Sequence, residues 1–285
     1  MGMPIPREVK DCVVFVYVRD AKGKVVPNGT GFLVAVPDVT NKDRAFGYLV
    51  TASHVLRPKA GAAPYSEVFA RLNRHEGGTA LVRILLTPSG DTPSVFFHED
   101  PRVDLAAIPF LPDQSKYSFK VIPTALLPTA ADMNDIQVSE GADVFFAGLF
   151  VPYVSDTANV PIIRFGRIAL APNEAIPWDG VSRELLLVEC LSYAGNSGAP
   201  VFYYLGAERN PGSLLVGAPI LKLAGVMMGA YQDVRPVQTV ETATAAVATS
   251  NLGIAAVVPA RKLRELLESA PLAAQRALAG MKGGT

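Results

Sequence analysis

Three short segments contain side chains that together could carry out nucleophilic catalysis. Ser197 lies between glycines in "YAGNSGAPVF", His54 ends the apolar run "YLVTASH", and Asp104 precedes the run "LAAIPF". A serine hydroxyl is a weak nucleophile at neutral pH unless a neighbouring base accepts its proton. A histidine is the usual base, and a carboxylate orients its ring. These residue types are therefore the ones that a serine hydrolase needs.

The glycines beside Ser197 match a further requirement of acyl transfer. The attacked carbonyl becomes an oxyanion, which preorganised backbone N–H groups stabilise. Gly195 gives the chain access to backbone angles that a Cβ would resist. Taken singly, each segment also fits a simpler interpretation: a glycine-rich turn, a core histidine satisfied by backbone, and an aspartate at the start of a strand. The joint site is favoured because all three residues lie at the edges of predicted strands.

Short strands separated by turn residues dominate the sequence. Runs such as "CVVFVYVRD", "AFGYLV", "DVFFAGLF" and "APVFYYL" alternate with Gly, Pro, Asn and Asp. This pattern predicts an all-β chain, either a sandwich or a pair of barrels. One amphipathic helix is expected to begin near Pro259, because apolar residues then follow at helical spacing. Pro271 interrupts it, and a second short helix is expected to end at Gly280.

Three stretches have weaker periodicity. Residues 111–135 are rich in Pro, Asp and Ser, so we expect the boundary between two halves there. We expect long loops at residues 57–78 and 231–251. By its position, the second of these could gate a binding pocket.

Composition argues against several classes of function. Of 285 residues, 49% are apolar, and 26 basic residues balance 26 acidic ones. Without a basic run, we expect no nucleic-acid partner. His54, His75 and His98 lie far apart, and with Cys12 and Cys190 they show no metal-ligand spacing. We therefore expect neither a metal ion nor another cofactor.

Cysteine usage and the N-terminal segment bear on the cellular compartment. Cys12 and Cys190 could form one bridge, but two buried free thiols are the favoured interpretation. The segment "MGMPIPREVKDC" has no apolar signal region, and no apolar run is long enough to span a membrane. We therefore expect a cytoplasmic protein without a membrane partner.

The motifs together resemble the trypsin-like (chymotrypsin-fold) serine peptidases, in particular the bacterial, HtrA-like branch. "GTGFLV" is followed by "YLVTASHVL", "VDLAAIPF" and "GNSGAPVF" in that order. "GADVFFAGLF" looks like the first strand of that branch's second barrel, and "NLGIAAVVPARKLRELL" looks like its last strand and closing helix. The resemblance covers roughly residues 10–270, and we expect no PDZ domain.

The resemblance implies an architecture for the whole chain. It is an all-β fold of two six-stranded Greek-key β-barrels with a C-terminal α-helix. The N-terminal barrel would span residues 8–120 and carry the histidine and the aspartate. The C-terminal barrel would span 135–258 and carry the serine, and the closing helix would span 259–280.

The resemblance also implies roles for the three candidate residues. Ser197 would be the nucleophile, His54 the general base and then acid, and Asp104 the group that orients the imidazole. The backbone N–H groups of Gly195 and Ser197 would form the oxyanion hole. The expected function is a serine endopeptidase with a protein or peptide substrate.

Two positions depart from the pattern of the digestive enzymes. Asn196 stands where those enzymes carry an acid that pairs with a new N-terminus after zymogen cleavage. Activation of that kind is therefore not expected here. Ala199 replaces the usual second glycine after the serine, a small change that should be tolerated.

The resemblance places a pocket for the substrate side chain that precedes the cleaved bond. Its base falls at Leu191, which offers no partner to a cationic side chain. We expect cleavage after small or medium apolar residues. The walls of the pocket are expected to comprise Met228, Gly229, Ala230 and Gly253.

An alternative of a different class is a non-catalytic protein-binding module on a trypsin-like scaffold, because a fold does not guarantee an activity. The intact histidine, aspartate and serine favour the enzyme. A regulatory partner is possible, but the sequence does not identify one.

Overall fold

The computed structural model describes residues 5–59, 61–88, 93–136, 138–172, 174–205, 220–237 and 246–282. The strands of the first half are β1 (Val13–Arg19), β2 (Val25–Pro37), β3 (Ala45–Thr51), β4 (Glu67–Arg74), β5 (Thr79–Leu85), β6 (Phe96–Phe97), β7 (Ala106–Pro109), β8 (Tyr117–Ser118) and β9 (Ile122–Pro123). Those of the second half are β10 (Asp143–Gly148), β11 (Ile162–Leu170), β12 (Ile176–Trp178), β13 (Val181–Arg183), β14 (Leu186–Glu189), β15 (Pro200–Leu205), β16 (Ile220–Val237) and β17 (Ala246–Pro259). The α-helices are α1 (Arg7–Asp11), α2 (Ala130–Ile136), α3 (Ala260–Glu268) and α4 (Ala270–Lys282).

The first half folds as a nine-stranded sheet. The hydrogen-bonded order is β5-β4-β1-β2-β3-β7-β6, with β8 beside β4 and β9 parallel to β2. Strand β1 is buried on both faces. Because successive side chains point to opposite faces of a strand, Val14 and Val16 enter the core of this half. Phe15 and Tyr17 point the other way, into a second apolar cluster.

The second half is a closed barrel of six strands in the order β10-β11-β14-β17-β16-β15. Its interior is filled by apolar side chains such as Val144, Phe146 and Met227. A separate two-stranded hairpin, β12 with β13, interrupts the chain between β11 and β14. The pairing of β15 with β16 ends at Pro200, whose partner is Val226. Strands β16 and β17 stay paired with each other well beyond this point.

A shared apolar cluster joins the two halves. Phe15 and Phe32 from the first half lie in it with Phe145 and Phe202 from the second. The Phe145 and Phe202 rings stack with centroids 5.3 Å apart. Helix α3 adds Leu263 and its neighbours on the same buried face. Each fully buried side chain of this size stabilises the folded state by about 1.5–3 kcal/mol, so the halves are fixed against each other along this seam.

The structure confirms the predicted fold class and the helical C-terminal segment. Helix α3 follows Pro259 and ends at Ser269, whose ψ of 150° leaves the helical region. Helix α4 then begins with Pro271 in its first turn, where a missing N–H has no cost. It runs to Lys282, slightly past the predicted end at Gly280. The first half contains more strands than the predicted six, and the predicted domain boundaries stay predictions.

Both loop predictions need correction. The predicted loop at 57–78 includes β4, in which Val68, Ala70 and Leu72 are buried on one face. Phe69 and Arg71, which lie between them, are buried as well, and the charge of Arg71 makes the segment look solvent-exposed in the sequence. In the predicted loop at 231–251, β16 and β17 pair as far as their ends, and residues 238–245 lie outside the described part of the chain.

The cysteine prediction is confirmed, since Cys12 and Cys190 are free and buried. Burial raises the pKa of the Cys12 thiol to about 12 and that of Cys190 to about 11. Both thiols are therefore protonated at neutral pH. In the described ranges, no helix is long and apolar enough to cross a lipid bilayer.

Candidate active site

His54 is held at the surface by a short buried segment. Strand β3 ends at Thr51, and a 3-10 helix, Ser53–Leu56, follows at once. Its residues Val55 and Leu56 are buried in the core, whereas the His54 side chain is 46% exposed. The local sequence thus anchors the backbone on both sides of an accessible imidazole.

The imidazole of His54 pairs with the carboxylate of Asp104. The distance from His54 Nδ1 to Asp104 Oδ2 is 2.6 Å. The other carboxylate oxygen accepts hydrogen bonds from Ser53 Oγ at 2.5 Å and from the His54 backbone N–H at 3.0 Å. The Asp104 side chain is only 9% exposed, so these donors replace water around its charge.

Electrostatics favour a charged Asp104 and a basic His54. Burial alone would raise the pKa of Asp104, but hydrogen bonds from His54 and Ser53 and the charge on His54 lower it overall. Burial alone would lower the pKa of His54, but the hydrogen bond and charge of Asp104 outweigh burial and raise it. An ionised Asp104 holds the proton on Nδ1, which leaves Nε2 as the acceptor that a general base needs.

The serine segment has a backbone that only glycine can provide. The φ angles of Gly195 and Gly198 are +94° and +85°, in the region that L side chains avoid. A Cβ on Gly198 would lie 2.0 Å from Thr30 O and 3.1 Å from Ala52 N. Ala52 is two residues from His54, so the Ser197 segment packs directly against the segment that carries the histidine.

Thr30, on β2 of the first half, fastens the serine segment across the seam. Its hydroxyl donates to Gly195 O at 2.6 Å and accepts from the Leu149 N–H at 2.9 Å. Its backbone N–H donates to Ser197 O at 2.9 Å. Its carbonyl accepts from Thr51 Oγ1 at 2.7 Å. The residue is fully buried, so each of these bonds is protected from water.

Asn196 secures the same segment within the second half. Its Oδ1 accepts from the Tyr193 N–H at 2.9 Å, and its Nδ2 donates to Leu149 O at 2.7 Å. Its own backbone N–H donates to Tyr193 O at 3.0 Å. The side chain is 1% exposed. A neutral amide therefore satisfies a donor and an acceptor in a place where a carboxylate would need a cation.

Two backbone donors beside the serine remain available. The N–H groups of Gly195 and Ser197, the predicted oxyanion hole, have no acceptor among the described residues. The hydroxyl of Ser197 donates to Met228 O at 3.0 Å. Among the same described residues, no hydrogen bond joins Ser197 to His54. The structure thus brings the histidine and aspartate into contact, with the serine on the adjoining segment but turned toward β16.

The predicted pocket residues gather on one side of Ser197, but their role in binding a substrate stays a prediction. The Cys190 N–H donates to Gly253 O at 2.8 Å, which places the segment before the serine against β17. Leu191 is half-exposed, whereas Met228 is buried beside the serine hydroxyl. Gly229 and Ala230 continue β16 from there.

Gly229 lies beneath an aromatic residue that the sequence reasoning missed. A Cβ on Gly229 would lie 3.3 Å from the ring of Trp178, at the end of β12. Thr30 and Ser53 were missed as well, although both adjoin quoted motifs: "NGTGF" and "TASH". The sequence signal that could have identified these two supporting residues was a polar side chain next to an apolar run.

A cavity of about 750 Å³ lies elsewhere, between the β2–β3 turn and helices α3 and α4. None of the predicted site residues lines it. Across the described part of the chain, no group of three His, Cys, Asp or Glu side chains could hold a metal ion.

Comparisons with solved structures agree with this architecture. The protease domain of MamO from Magnetospirillum magneticum aligns with 17% identity and a TM-score of 0.52, over 92% of this chain and 99% of that one. The thermostable serine protease AL20 from an extremophilic microorganism aligns with 10% identity and a TM-score of 0.48, over 90% and 94%. Human heparin binding protein aligns with 12% identity and a TM-score of 0.47, over 93% and 92%. No protein-family model matches the sequence, nor does any curated protein.

The fold defines a class. The chain has the trypsin-like, chymotrypsin-type serine protease fold, as the sequence motifs predict, with a closed C-terminal barrel and a C-terminal helical segment. At 17% identity, the MamO protease domain is a relative in fold, and that likeness alone does not establish catalytic activity.

Proposed function

We propose that this chain is a serine endopeptidase that uses Ser197, His54 and Asp104. The observation that carries the proposal is the 2.6 Å contact between His54 Nδ1 and the buried, ionised Asp104 carboxylate. Such a pair is the base that a serine nucleophile requires. It lies against a serine segment in which the N–H groups of Gly195 and Ser197 have no acceptor among the described residues.

The proposed reaction has two stages. His54 Nε2 takes the proton from Ser197 Oγ as that oxygen attacks the substrate carbonyl carbon. The resulting oxyanion lies between the N–H groups of Gly195 and Ser197, each donor accounting for about 10²–10³ in rate. His54 then protonates the leaving amine, the peptide C–N bond breaks and an ester remains on Ser197. His54 then takes a proton from water as the water oxygen attacks the ester carbon. The bond from that carbon to Ser197 Oγ breaks, the carboxylic acid product leaves, and His54 returns the proton to Ser197 Oγ.

For the reaction to begin, the Ser197 hydroxyl must turn from Met228 O toward His54. In the proposed mechanism, rotation about the Cα–Cβ bond to another staggered position makes this turn. Catalytic hydrogen bonds are often long or misaligned before substrate binds. Thr30 and Asn196 hold the backbone of the serine segment, so the proposed rotation involves the Ser197 side chain alone.

We also propose that the enzyme cleaves after small or medium apolar residues. Leu191 provides no charge to pair with a lysine or arginine side chain, whose desolvation would go uncompensated. A library of peptides that differ at the residue before the cleaved bond tests this preference. Dominant cleavage after Lys or Arg would contradict it.

A second candidate function is a non-catalytic binding module for proteins or peptides. The observation in its favour is the hydrogen bond from Ser197 Oγ to Met228 O, which leaves the serine without a base. In that case the available edge of β16 would bind an extended segment, and no chemistry would follow.

A fluorophosphonate probe, which reacts with activated serines, separates the two candidates. We expect stoichiometric labelling of the wild-type protein, loss of labelling in Ser197→Ala and strong loss in His54→Ala. Ser182→Ala, which alters an exposed serine on β13, serves as the matched control and should label normally. A folded wild-type protein that does not react would support the binding module.

A further inference from the structure

The hairpin of β12 and β13 extends from the substrate side of the second barrel toward the catalytic histidine. Its turn consists of Asp179 and Gly180 with φ angles of +47° and +74°, the signature of a tight two-residue connection. On β12, the ring of Trp178 lies 4.5 Å from that of Tyr231, whose hydroxyl donates to Pro177 O at 2.8 Å. One strand of the hairpin is therefore fixed to β16.

The other strand ends beside the His54–Asp104 pair. Arg183, the last residue of β13, donates from Nη1 to the carbonyl of Arg102, two residues before Asp104. Burial lowers the pKa of His54, and the Asp104 carboxylate raises it. The positive charge of Arg183 lowers the same pKa, so the guanidinium is close enough to interact electrostatically with the imidazole. The hairpin thus bridges β16 and the catalytic aspartate loop.

Arg183 lacks the counter-ion that its neighbours have. Arg102 pairs with Asp100 at 2.8 Å, Glu184 pairs with Arg261 at 2.5 Å, and Asp104 pairs with His54. Among the residues that the structure describes, Arg183 has no carboxylate partner. Its Nε is buried without a hydrogen-bond acceptor.

For its second terminal nitrogen, Nη2, there is no hydrogen-bond acceptor among the described residues. A partly buried guanidinium that keeps free donors is well suited to bind a carboxylate, because its planar geometry matches two oxygens. The Arg102 carbonyl fixes the side chain in place, which reduces the entropy lost when such a ligand binds.

We propose that Arg183 is a specificity-determining residue that binds an acidic side chain of the substrate. The proposal rests on the endopeptidase function and names the substrate class more closely. In this proposal, a peptide paired with β16 near Gly229 would run beside the hairpin, which is fixed to the same strand. The acidic residue would lie before the cleaved bond, so the second, third and fourth residues before that bond are the positions to test. Preferred substrates then combine a small or medium apolar residue at the cleaved bond with Asp or Glu shortly before it.

The test uses pairs of fluorogenic peptides that differ only by Glu or Gln at each of these positions. For the wild-type enzyme we expect kcat/KM to favour the Glu peptide by about tenfold at one position, mainly through KM, as for one charge-assisted hydrogen bond. Arg183→Gln should abolish this ratio, because the Glu side chain then has no guanidinium to pair with. Arg183→Lys should retain part of it. Arg167→Gln, an exposed arginine on β11, is the charge-matched control and should keep the full ratio.

A binding measurement keeps the inference separate from catalysis. Fluorescence anisotropy of the same peptides on Ser197→Ala, with and without Arg183→Gln, reports the preference without turnover. Discrimination in binding together with no probe labelling of the wild type would reject the endopeptidase and retain the role of Arg183. Equal affinity for the Glu and Gln peptides at every position, or a preference that survives Arg183→Gln, would overturn the role of Arg183.

Discussion

Replacing Thr30 by valine tests how the two halves hold the serine segment in place. Valine has nearly the same shape, but it removes the hydroxyl that donates to Gly195 O at 2.6 Å and accepts from the Leu149 N–H at 2.9 Å. Both groups would remain buried without a partner. Each such group costs about 1–3 kcal/mol, so we expect the free energy of unfolding to fall by about 2–6 kcal/mol. That is a large part of the total stability of a typical protein, about 5–15 kcal/mol.

The same substitution should reduce activity more than stability alone explains. In the proposed mechanism Gly195 supplies an oxyanion donor, and in this variant its carbonyl would lose its anchor on β2. We expect kcat/KM to fall by up to about 10²–10³, the effect of losing one such donor. Thr30→Ser is the matched control, because it keeps the hydroxyl and removes only a methyl group, at a cost of about 1 kcal/mol.

Urea unfolding measures the stability change, and kcat/KM is measured well below the unfolding midpoint on the fully folded fraction. If Thr30→Val unfolds at the same urea concentration as Thr30→Ser and cleaves peptides equally fast, the hydroxyl does not fasten the serine segment. The conclusion that Thr30 holds the serine segment to the first half of the chain would then be refuted.

The remaining predictions concern the charge and geometry of the site. Because Asp104 raises the pKa of His54, kcat/KM should fall as the pH drops through a value above the ordinary pKa of about 6.5; a pH–rate profile checks this. Asp104→Asn should move this fall in kcat/KM to lower pH and reduce kcat by about 10⁴, while the circular dichroism spectrum shows an unchanged fold. Asn196→Asp buries a carboxyl group without a cation, which raises the pKa of that group. The thermal unfolding midpoint of this variant should therefore drop more at pH ~8 than at pH ~5. Equal drops at the two pH values would contradict this prediction. Gly198→Ala places a Cβ 2.0 Å from Thr30 O and should prevent stable folding, as seen by loss of soluble protein.

Much of the architecture follows from local sequence patterns. Short, nearly continuous apolar runs identify strands such as β1, β3 and β15, because successive side chains of these strands are buried. The helical break near Pro271 is likewise a local effect of a missing N–H. Strand β4 was missed because its buried Arg71 makes the segment look solvated, and its burial depends on contacts far along the chain. Arg71 donates to Ser155 O at 2.5 Å, a partner that no local pattern reveals.

The residues that support the site were harder to predict than the candidate catalytic ones. Gly195 is recognisable because its backbone angles exclude other residues, as its φ of +94° shows. The buried hydroxyl of Thr30 and the contact of Arg183 with the Arg102 carbonyl depend on which segments meet in the folded chain. Asn196 was noted only as a missing acid, whereas in the fold its amide satisfies both a donor and an acceptor. Such pairings are tertiary contacts, so sequence periodicity does not contain them.

The most direct test of the central claim is a crystal structure of the protein with a peptide boronate that carries an apolar residue next to boron. We predict a covalent bond from Ser197 Oγ to boron, with His54 Nε2 within hydrogen-bond distance of the adduct. One boronate oxygen should lie about 2.7–3.1 Å from the N–H groups of Gly195 and Ser197. A boronate bound elsewhere, or an adduct whose oxygens contact neither the histidine nor those two donors, would contradict the account.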